Sequence, residues 1–99
     1  MTPKANVLLI DPNAEAARAE SAVLTRAGHR VVTVDRGVLA MERLKAQSFD
    51  LVIVDHELPD MTGLDILREV NQNGQAIPAI MITAHGSEQV VVDAFHHGA

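Results

Sequence analysis

Short apolar runs alternate with longer amphipathic segments along this chain. The runs cover residues 7–10, 31–34, 51–54 and 79–82. Three of the four are apolar at every position, whereas antiparallel strands with one solvated face alternate between apolar and polar residues. Continuous apolar runs are typical of parallel strands that are covered on both faces. We therefore predict four strands of one parallel sheet.

Segments of helical character separate these runs. Residues 13–27 are rich in Ala, Glu and Arg and stop before Gly28, a residue that commonly ends helices. Two further helices are predicted over residues 38–47 and 64–72, where apolar side chains recur with helical spacing. The resulting strand–helix alternation predicts a doubly wound α/β fold with right-handed crossovers.

The last segment, residues 87–97, is ambiguous. Ser87 is a suitable N-cap for a helix, but the β-branched run 90–92 also suits a strand. We predict a helix, because several small or apolar residues would share one helical face. These residues are Val91, Ala94, Phe95 and Gly98.

Composition narrows the classes of function. The 99 residues allow a single domain, and an apolar fraction of 47% is sufficient for a core. The net charge of −5 argues against a nucleic-acid-binding surface. No apolar run approaches the roughly 18 residues of a membrane span. The lack of cysteine excludes a disulfide framework and fits the reducing cytoplasm, which is the expected location.

Acidic residues follow two of the predicted strands. Asp11 and Asp55 stand at strand ends, and Glu57 and Asp60 come soon after Asp55. Ligands of open α/β sheets bind outside the carboxyl ends of the strands, although a single Asp there is often only a cap or turn residue. Clustered carboxylates with no nearby cation favour a bound Mg²⁺. Thr83 ends the fourth strand and carries a hydroxyl that could donate to a phosphoryl oxygen.

These features resemble the receiver domain of two-component response regulators. The resemblance extends over residues 6–99 and is carried by residues 7–11, 49–55, 57–67 and 77–85, including the loop Glu57-Leu-Pro-Asp-Met-Thr-Gly63. It implies one receiver domain over residues 1–99 with a flavodoxin-like strand order 2-1-3-4. Only four βα units fit in the chain, so strand 5 and helix 5 of this fold are expected to be missing from it.

The resemblance also implies roles for individual residues. Asp55 would take a phosphoryl group from the phosphohistidine of a sensor histidine kinase. Mg²⁺ would be the cofactor, held by Asp11, Asp55 and the backbone carbonyl of Glu57. Thr83 would form a hydrogen bond with the phosphoryl group. The chain would then be a signalling switch for a downstream output and not an enzyme.

Two departures from the family pattern stand out. The family usually has two adjacent acids after the first strand, whereas Asp11 is followed here by Pro12. The Glu57 carboxylate or Asn13 could compensate, or Pro12 could simply begin the first helix. The family also has a lysine on strand 5. No lysine here fills that role, so the sequence is either a truncated piece, which we expect, or a degenerate receiver.

The sequence also allows two alternative functions and one expectation about self-association. A degenerate pseudo-receiver would bind partners or dimerise without phosphorylation. A phosphatase of the haloacid dehalogenase type would need a second Asp where Glu57 stands. Without strand 5, strand 4 would have an unprotected edge, which predicts a homodimer or domain swap through residues 79–99.

Overall fold

The computed structural model of the chain describes residues 4–72, 77–85 and 88–93. Three helices and five strands lie in this part of the chain. They are β1 (Asn6–Ile10), α1 (Ala14–Arg26), β2 (Arg30–Val34), α2 (Gly37–Ala46), β3 (Leu51–Asp55), α3 (Gly63–Gln72), β4 (Ala79–His85) and β5 (Glu88–Asp93). The first seven elements are those predicted from the sequence, with boundaries shifted by up to three residues. No helix in the described residues is long and apolar enough to span a membrane.

The strands form one sheet in the order β2-β1-β3-β4-β5, and the first four are parallel. This confirms the predicted flavodoxin-like order 2-1-3-4. In the register, Ile10 of β1 lies between Val34 of β2 and Val54 of β3. Asp55, the last residue of β3, pairs with Ile82 of β4. The carboxyl ends of the four parallel strands therefore meet along one edge.

The two faces of the sheet are covered by different helices. The main core cluster joins alternate strand residues to the inner faces of α2 and α3. Its strand members include Leu8, Ile10, Val52, Val54, Ala79 and Met81, and its helix members include Ala40, Leu44, Ile66, Leu67 and Val70. Val7 and Leu9 are equally buried but point to the opposite face, where α1 packs against β1 and β2.

Helix α1 begins after a proline and an asparagine. Asn13 is the N-cap, and its side-chain Oδ1 accepts a 3.0 Å hydrogen bond from the backbone N–H of Ala16. Pro12 therefore lies before the N-cap, so the interpretation that it occupies the first helical position is wrong. An asparagine side chain satisfies an unpaired N–H of the first turn, which proline cannot do, and this fixes where the helix starts.

The C-terminus of α1 is closed by a left-handed glycine. Gly28 has φ of +97°, and its N–H donates to the carbonyl of Thr25. The next residue, His29, donates its backbone N–H to the carbonyl of Leu24. This pair of bonds is the Schellman motif, and the positive φ explains why glycine occupies the position.

The predicted helix over residues 87–97 is wrong where the structure describes that segment. Residues Glu88–Asp93 form β5, which pairs antiparallel with β4 from His85 opposite Glu88 to Ile80 opposite Asp93. The β-branched residues 90–92 favour extended backbone, and β4 offers a row of unpaired N–H and C=O groups. Residues 86, 87 and 94–99 lie outside the described part of the chain.

Pairing with β5 changes two further expectations. β4 extends to His85, so Thr83 lies within the strand, opposite Val90, and does not end it. The edge of β4 is paired within the chain, so β5 becomes the outer strand on this side of the sheet. Self-association through residues 79–99 stays a prediction, and its basis would be the edge of β5.

The core predicts which leucine matters for stability. Leu8 is fully buried, whereas Leu64 on α3 is 40% exposed. Leu8→Ala should lower the free energy of unfolding by about 2–5 kcal/mol, because it removes buried apolar area and leaves a cavity. Leu64→Ala should change it by about 1 kcal/mol or less. Urea denaturation followed by circular dichroism measures both, and equal losses would contradict this assignment of the core.

Candidate functional site

The two acids predicted from the strand ends lie side by side. Ile10 and Val54 are paired residues of β1 and β3, and Asp11 and Asp55 follow them directly. Asp11 is only 9% exposed, and Asp55 is half-buried. Two carboxylates that emerge from adjacent parallel strands repel each other unless a proton or a cation lies between them.

Backbone hydrogen bonds orient both carboxylates. Oδ1 of Asp11 accepts from the N–H of Asn13 at 2.8 Å, and Oδ1 of Asp55 accepts from the N–H of Glu57 at 2.9 Å. Each bond spans two residues, so each Asp closes a turn with its own loop. Oδ2 of Asp55 accepts no hydrogen bond from the described residues.

The loop that follows Asp55 is tightly closed. Glu57 is exposed and forms an isolated antiparallel bridge with Thr62. Gly63 donates its N–H to the carbonyl of His56 at 2.8 Å. A Cβ atom on Gly63 would stand 2.9 Å from the carbonyl oxygen of Asp55, so this position excludes any side chain. The close approach of Gly63 fixes the backbone of Asp55.

Thr62 and Asp65 cap the helix that leaves this loop. The Thr62 N–H donates to Oδ2 of Asp65 at 3.1 Å, and the Asp65 N–H donates to Oγ1 of Thr62 at 3.3 Å. These reciprocal bonds are a capping box with aspartate as the second residue. The bond from the Thr62 N–H lowers the pKa of Asp65, because it stabilises the charged form of the carboxylate, and the Thr62 side chain acts in the same direction.

Asp60 does not lie with the other acids, so its predicted place in the acidic cluster is wrong. Its Oδ1 accepts from the N–H of Gly37 at 2.8 Å, and its Oδ2 accepts from the N–H of Val38 at 2.9 Å. The two bonds hold its pKa below the usual value. The N-cap residue of α2, Arg36, makes no capping bond with its own side chain. Asp60 therefore caps α2 from the loop after β3.

Thr83 lies near the two acids in the register of the sheet. It comes one residue after Ile82, which pairs with Asp55. The backbone thus places Thr83 on the strand next to the half-buried Asp55, within the parallel part of the fold. Its role stays a prediction.

Glu20 is a further acid at this edge, and the sequence analysis did not single it out. The carboxyl group of Asp11 is among the neighbours that raise the pKa of Glu20. Its Oε1 is buried and has no hydrogen-bond partner among the described residues. Burial and the charges of Asp11 and Asp55 raise the pKa of Glu20 to about 7. The signal that could have identified Glu20 is its spacing, because it stands one turn after the buried Ala17 and therefore lies on the inner side of α1.

Comparison with known proteins gives the family. The model of the response regulator receiver domain matches residues 7–99. The luminescence regulatory protein LuxO of Vibrio campbellii is 36% identical over 91 residues, which cover 92% of this chain and 20% of that protein. The chain therefore spans about one fifth of the length of the curated relatives that it matches.

Similar solved structures support the same family. The chemotaxis response regulator CheY4 of Vibrio cholerae has a TM-score of 0.80 and 30% identity, covering 86% of this chain and 72% of that one. The response regulator TrrA of Thermotoga maritima, solved in complex with Mg²⁺ and beryllium fluoride, has a TM-score of 0.78 and 24% identity, covering 83% and 71%. The second likeness shows the fold alone. The chain belongs to the response regulator receiver domain family, whose members are signalling domains that are phosphorylated and bind Mg²⁺.

The residues present fit a magnesium ion. Within the described residues, no three acidic or histidine side chains form a ready-made metal cage. Mg²⁺ does not require one, because it keeps several waters and is usually bound by one or two carboxylates with substrate phosphate. Asp11 and Asp55 carry hard oxygen atoms of the kind that Mg²⁺ binds, and the buried Oε1 of Glu20 has no hydrogen-bond donor among the described residues. A cation would offset the repulsion among these groups.

The cap on α2 makes a prediction about stability and pH. Asp60→Ala should lower the melting temperature at pH 7, because two N–H groups lose their acceptor. The pKa of Asp60 is lowered by folding, so its contribution is complete at neutral pH and is lost as the pH falls through that lowered pKa. The difference between variant and wild type should therefore shrink in acid.

Asp35→Ala is the matched control for this effect. Asp35 is an exposed carboxylate before the same helix, and its side chain pairs with Arg36 at 3.1 Å. Exposed ion pairs contribute little, so Asp35→Ala should shift the melting temperature less than Asp60→Ala. Thermal unfolding by calorimetry at several pH values decides the matter. An Asp60→Ala variant that melts with the wild type would show that this cap does not stabilise α2.

Proposed function

We propose that this receiver accepts a phosphoryl group on Asp55 from the phosphohistidine of a sensor histidine kinase and thereby switches a downstream output. The observation that carries the proposal is the geometry of Asp55. Its Oδ1 is held by the N–H of Glu57, while Oδ2 accepts no hydrogen bond from the described residues. The carboxylate is thus oriented at the end of β3 with one oxygen available as a nucleophile.

The transfer balances as a displacement at phosphorus. Oδ2 of Asp55 forms a bond to phosphorus while the N–P bond of phosphohistidine breaks, and its electron pair stays on the imidazole nitrogen. The product is an aspartyl phosphate. The hydrogen bond from Glu57 keeps the carboxylate plane fixed during the attack, which is positioning catalysis by the backbone.

Asp11, Asp55 and Glu57 would hold the magnesium ion, with Glu57 contributing its backbone carbonyl. When bound, Mg²⁺ neutralises charge on the phosphoryl oxygens and lets an anionic group approach an acidic site. Two findings support this assignment. Asp11 lies beside Asp55 in the register, and the structurally similar TrrA was solved with Mg²⁺ and beryllium fluoride.

Thr83 would form a hydrogen bond with the phosphoryl group. The support is its position one residue beyond the partner of Asp55 on the neighbouring strand. A shift of Thr83 toward the phosphoryl group would move β4 and change its pairing with β5, where Thr83 lies opposite Val90. We propose this pair of strands as the route by which the phosphorylated state is read.

A pseudo-receiver that binds partners without phosphorylation is the second candidate. Pro12 favours it, because the residue after Asp11 has no side-chain oxygen to offer a metal. The oriented carboxylate of Asp55 favours the phosphorylated switch, since a module that only binds partners has no need to hold one carboxylate oxygen in place.

Phosphorylation can be tested directly by mass spectrometry. The protein incubated with Mg²⁺ and acetyl phosphate should gain one phosphoryl adduct, and Asp55→Asn should gain none, because an amide is not a competent nucleophile here. Asp50→Asn is the matched control. Asp50 stands just before the opposite end of β3, where its Oδ2 accepts from the N–H of Asn6, so this variant should still be modified.

Two results would contradict the switch. An adduct that persists in Asp55→Asn would place the acceptor elsewhere. A wild-type protein that gains no adduct and shows no spectral change with beryllium fluoride would favour the pseudo-receiver.

A further inference from the structure

Strand β2 forms the open edge of the sheet on the side away from β5, because it pairs with β1 alone. The N–H of Arg30 donates to the carbonyl of Ala5, and the carbonyl of Val34 accepts from the first N–H after β1. The N–H and C=O of one residue point to the same side of a strand, and that side alternates from residue to residue. The main-chain groups of Val31 and Thr33 therefore point outward, where no strand in the described part of the chain pairs with them.

This edge borders a cleft between α1 and α2. The cleft has a volume of about 760 Å³, and Thr33 lines it. Helix α1 contributes mainly small side chains and Arg18, whereas α2 contributes Arg43 and Leu39, which is 39% exposed. The two helices cover opposite faces of the sheet, so the open edge has a wall on either side. An extended chain in the cleft would place successive side chains against the two walls in turn.

The cleft lies in the basic part of an acidic chain. Six of the eight basic residues fall within residues 14–47, which hold only four of the 13 acidic residues. Arg18 and Arg43 are exposed, and neither forms an ion pair with any residue that the structure describes. The two acids that line the cleft are engaged, since Asp35 pairs with a neighbouring arginine and Asp11 accepts a backbone hydrogen bond. The charge of this edge therefore favours an anionic partner.

We propose that the β2 edge binds an extended acidic segment of a partner protein, which adds to the sheet as a further strand between α1 and α2. A row of outward N–H and C=O groups selects a peptide over other anions, because only a peptide offers matching groups at the same spacing. Neighbouring residues of the added strand face opposite walls, so two adjacent acids would reach Arg18 and Arg43. The inference does not depend on phosphoryl transfer, since β1 separates this edge from the strand of Asp55.

The charge requirement is tested with a short capped peptide of valine and glutamate that has two adjacent glutamates at its centre. Isothermal titration should show binding that Arg18→Gln and Arg43→Gln each weaken by about three- to fivefold, because each removes a partly solvated ion pair. Lys45→Gln is the matched control, since it removes a positive charge from α2 outside the cleft. It should bind within about twofold of wild type, because distant exposed charges are screened. Circular dichroism establishes that the variants are folded.

The main-chain requirement is tested with two N-methylated forms of the same peptide, one modified at the odd positions and one at the even positions. An added strand turns only one of its edges toward β2, so one form should lose binding by about tenfold or more and the other should keep it. Amide hydrogen exchange followed by NMR gives a second readout. The N–H groups of Val31 and Thr33 should exchange more slowly when the unmodified peptide is bound.

Each further outcome counts against the proposal. Equal binding of the two N-methylated peptides overturns strand addition, even if the arginine variants bind more weakly. Binding that neither Arg18→Gln nor Arg43→Gln changes places the peptide elsewhere, and a wild-type protein that does not bind the peptide overturns the proposal outright. If Val31 and Thr33 are already protected in a self-associated protein without peptide, the occupant of the edge is a second copy of this chain and the proposed partner is wrong.

Discussion

The register between β1 and β3 is the constraint on which the site depends. Ile10 lies opposite Val54, and both are fully buried, so the two strands cannot slide without exposing apolar side chains. Each such side chain contributes about 1.5–3 kcal/mol by burial, and several lie along the pair. The repulsion between Asp11 and Asp55 at the strand ends is smaller than this sum near a protein surface. Burial therefore holds two like charges together that would separate if left alone.

The loop after β3 extends this constraint to the helices. Gly63 packs against the carbonyl of Asp55, and Asp60 in the same loop receives the first N–H groups of α2. Gly37 at the start of α2 is packed tightly against Met61, so the loop and the helix contact each other through both backbone and side chain. A shift of the backbone at Asp55 would therefore displace α2 as well as β4. Asp55 is therefore connected to two different elements by short contacts.

The sequence predicted those parts of the fold that depend on local pattern. Continuous apolar runs indicated the four parallel strands, and Gly28 marked the end of α1. The segment after β4 was predicted incorrectly, because Val90 to Val92 fit either state and pairing with β4, a tertiary effect, decided between them. For the same reason, the sequence analysis placed Asp60 in the wrong group of acids and did not identify Glu20. The N–H groups that Asp60 meets lie 23 and 22 residues away along the chain, and Asp11, which influences Glu20, lies nine residues away.

The electrostatics of the acidic edge connect stability to the proposed chemistry. Helix α1 would pack better with an apolar residue at position 20, and Asp11 would be less strained beside a neutral neighbour. An arrangement that is unfavourable for the empty protein becomes favourable when a divalent cation is added, since the cation is attracted to every group that the others repel. A phosphoryl group would bring further negative charge to the same edge, so a bound cation would stabilise it more strongly. On the proposed binding of a cation, the free energy that folding loses in assembling these carboxylates would be recovered, and this coupling would allow a phosphoryl group on Asp55 to alter the structure around it.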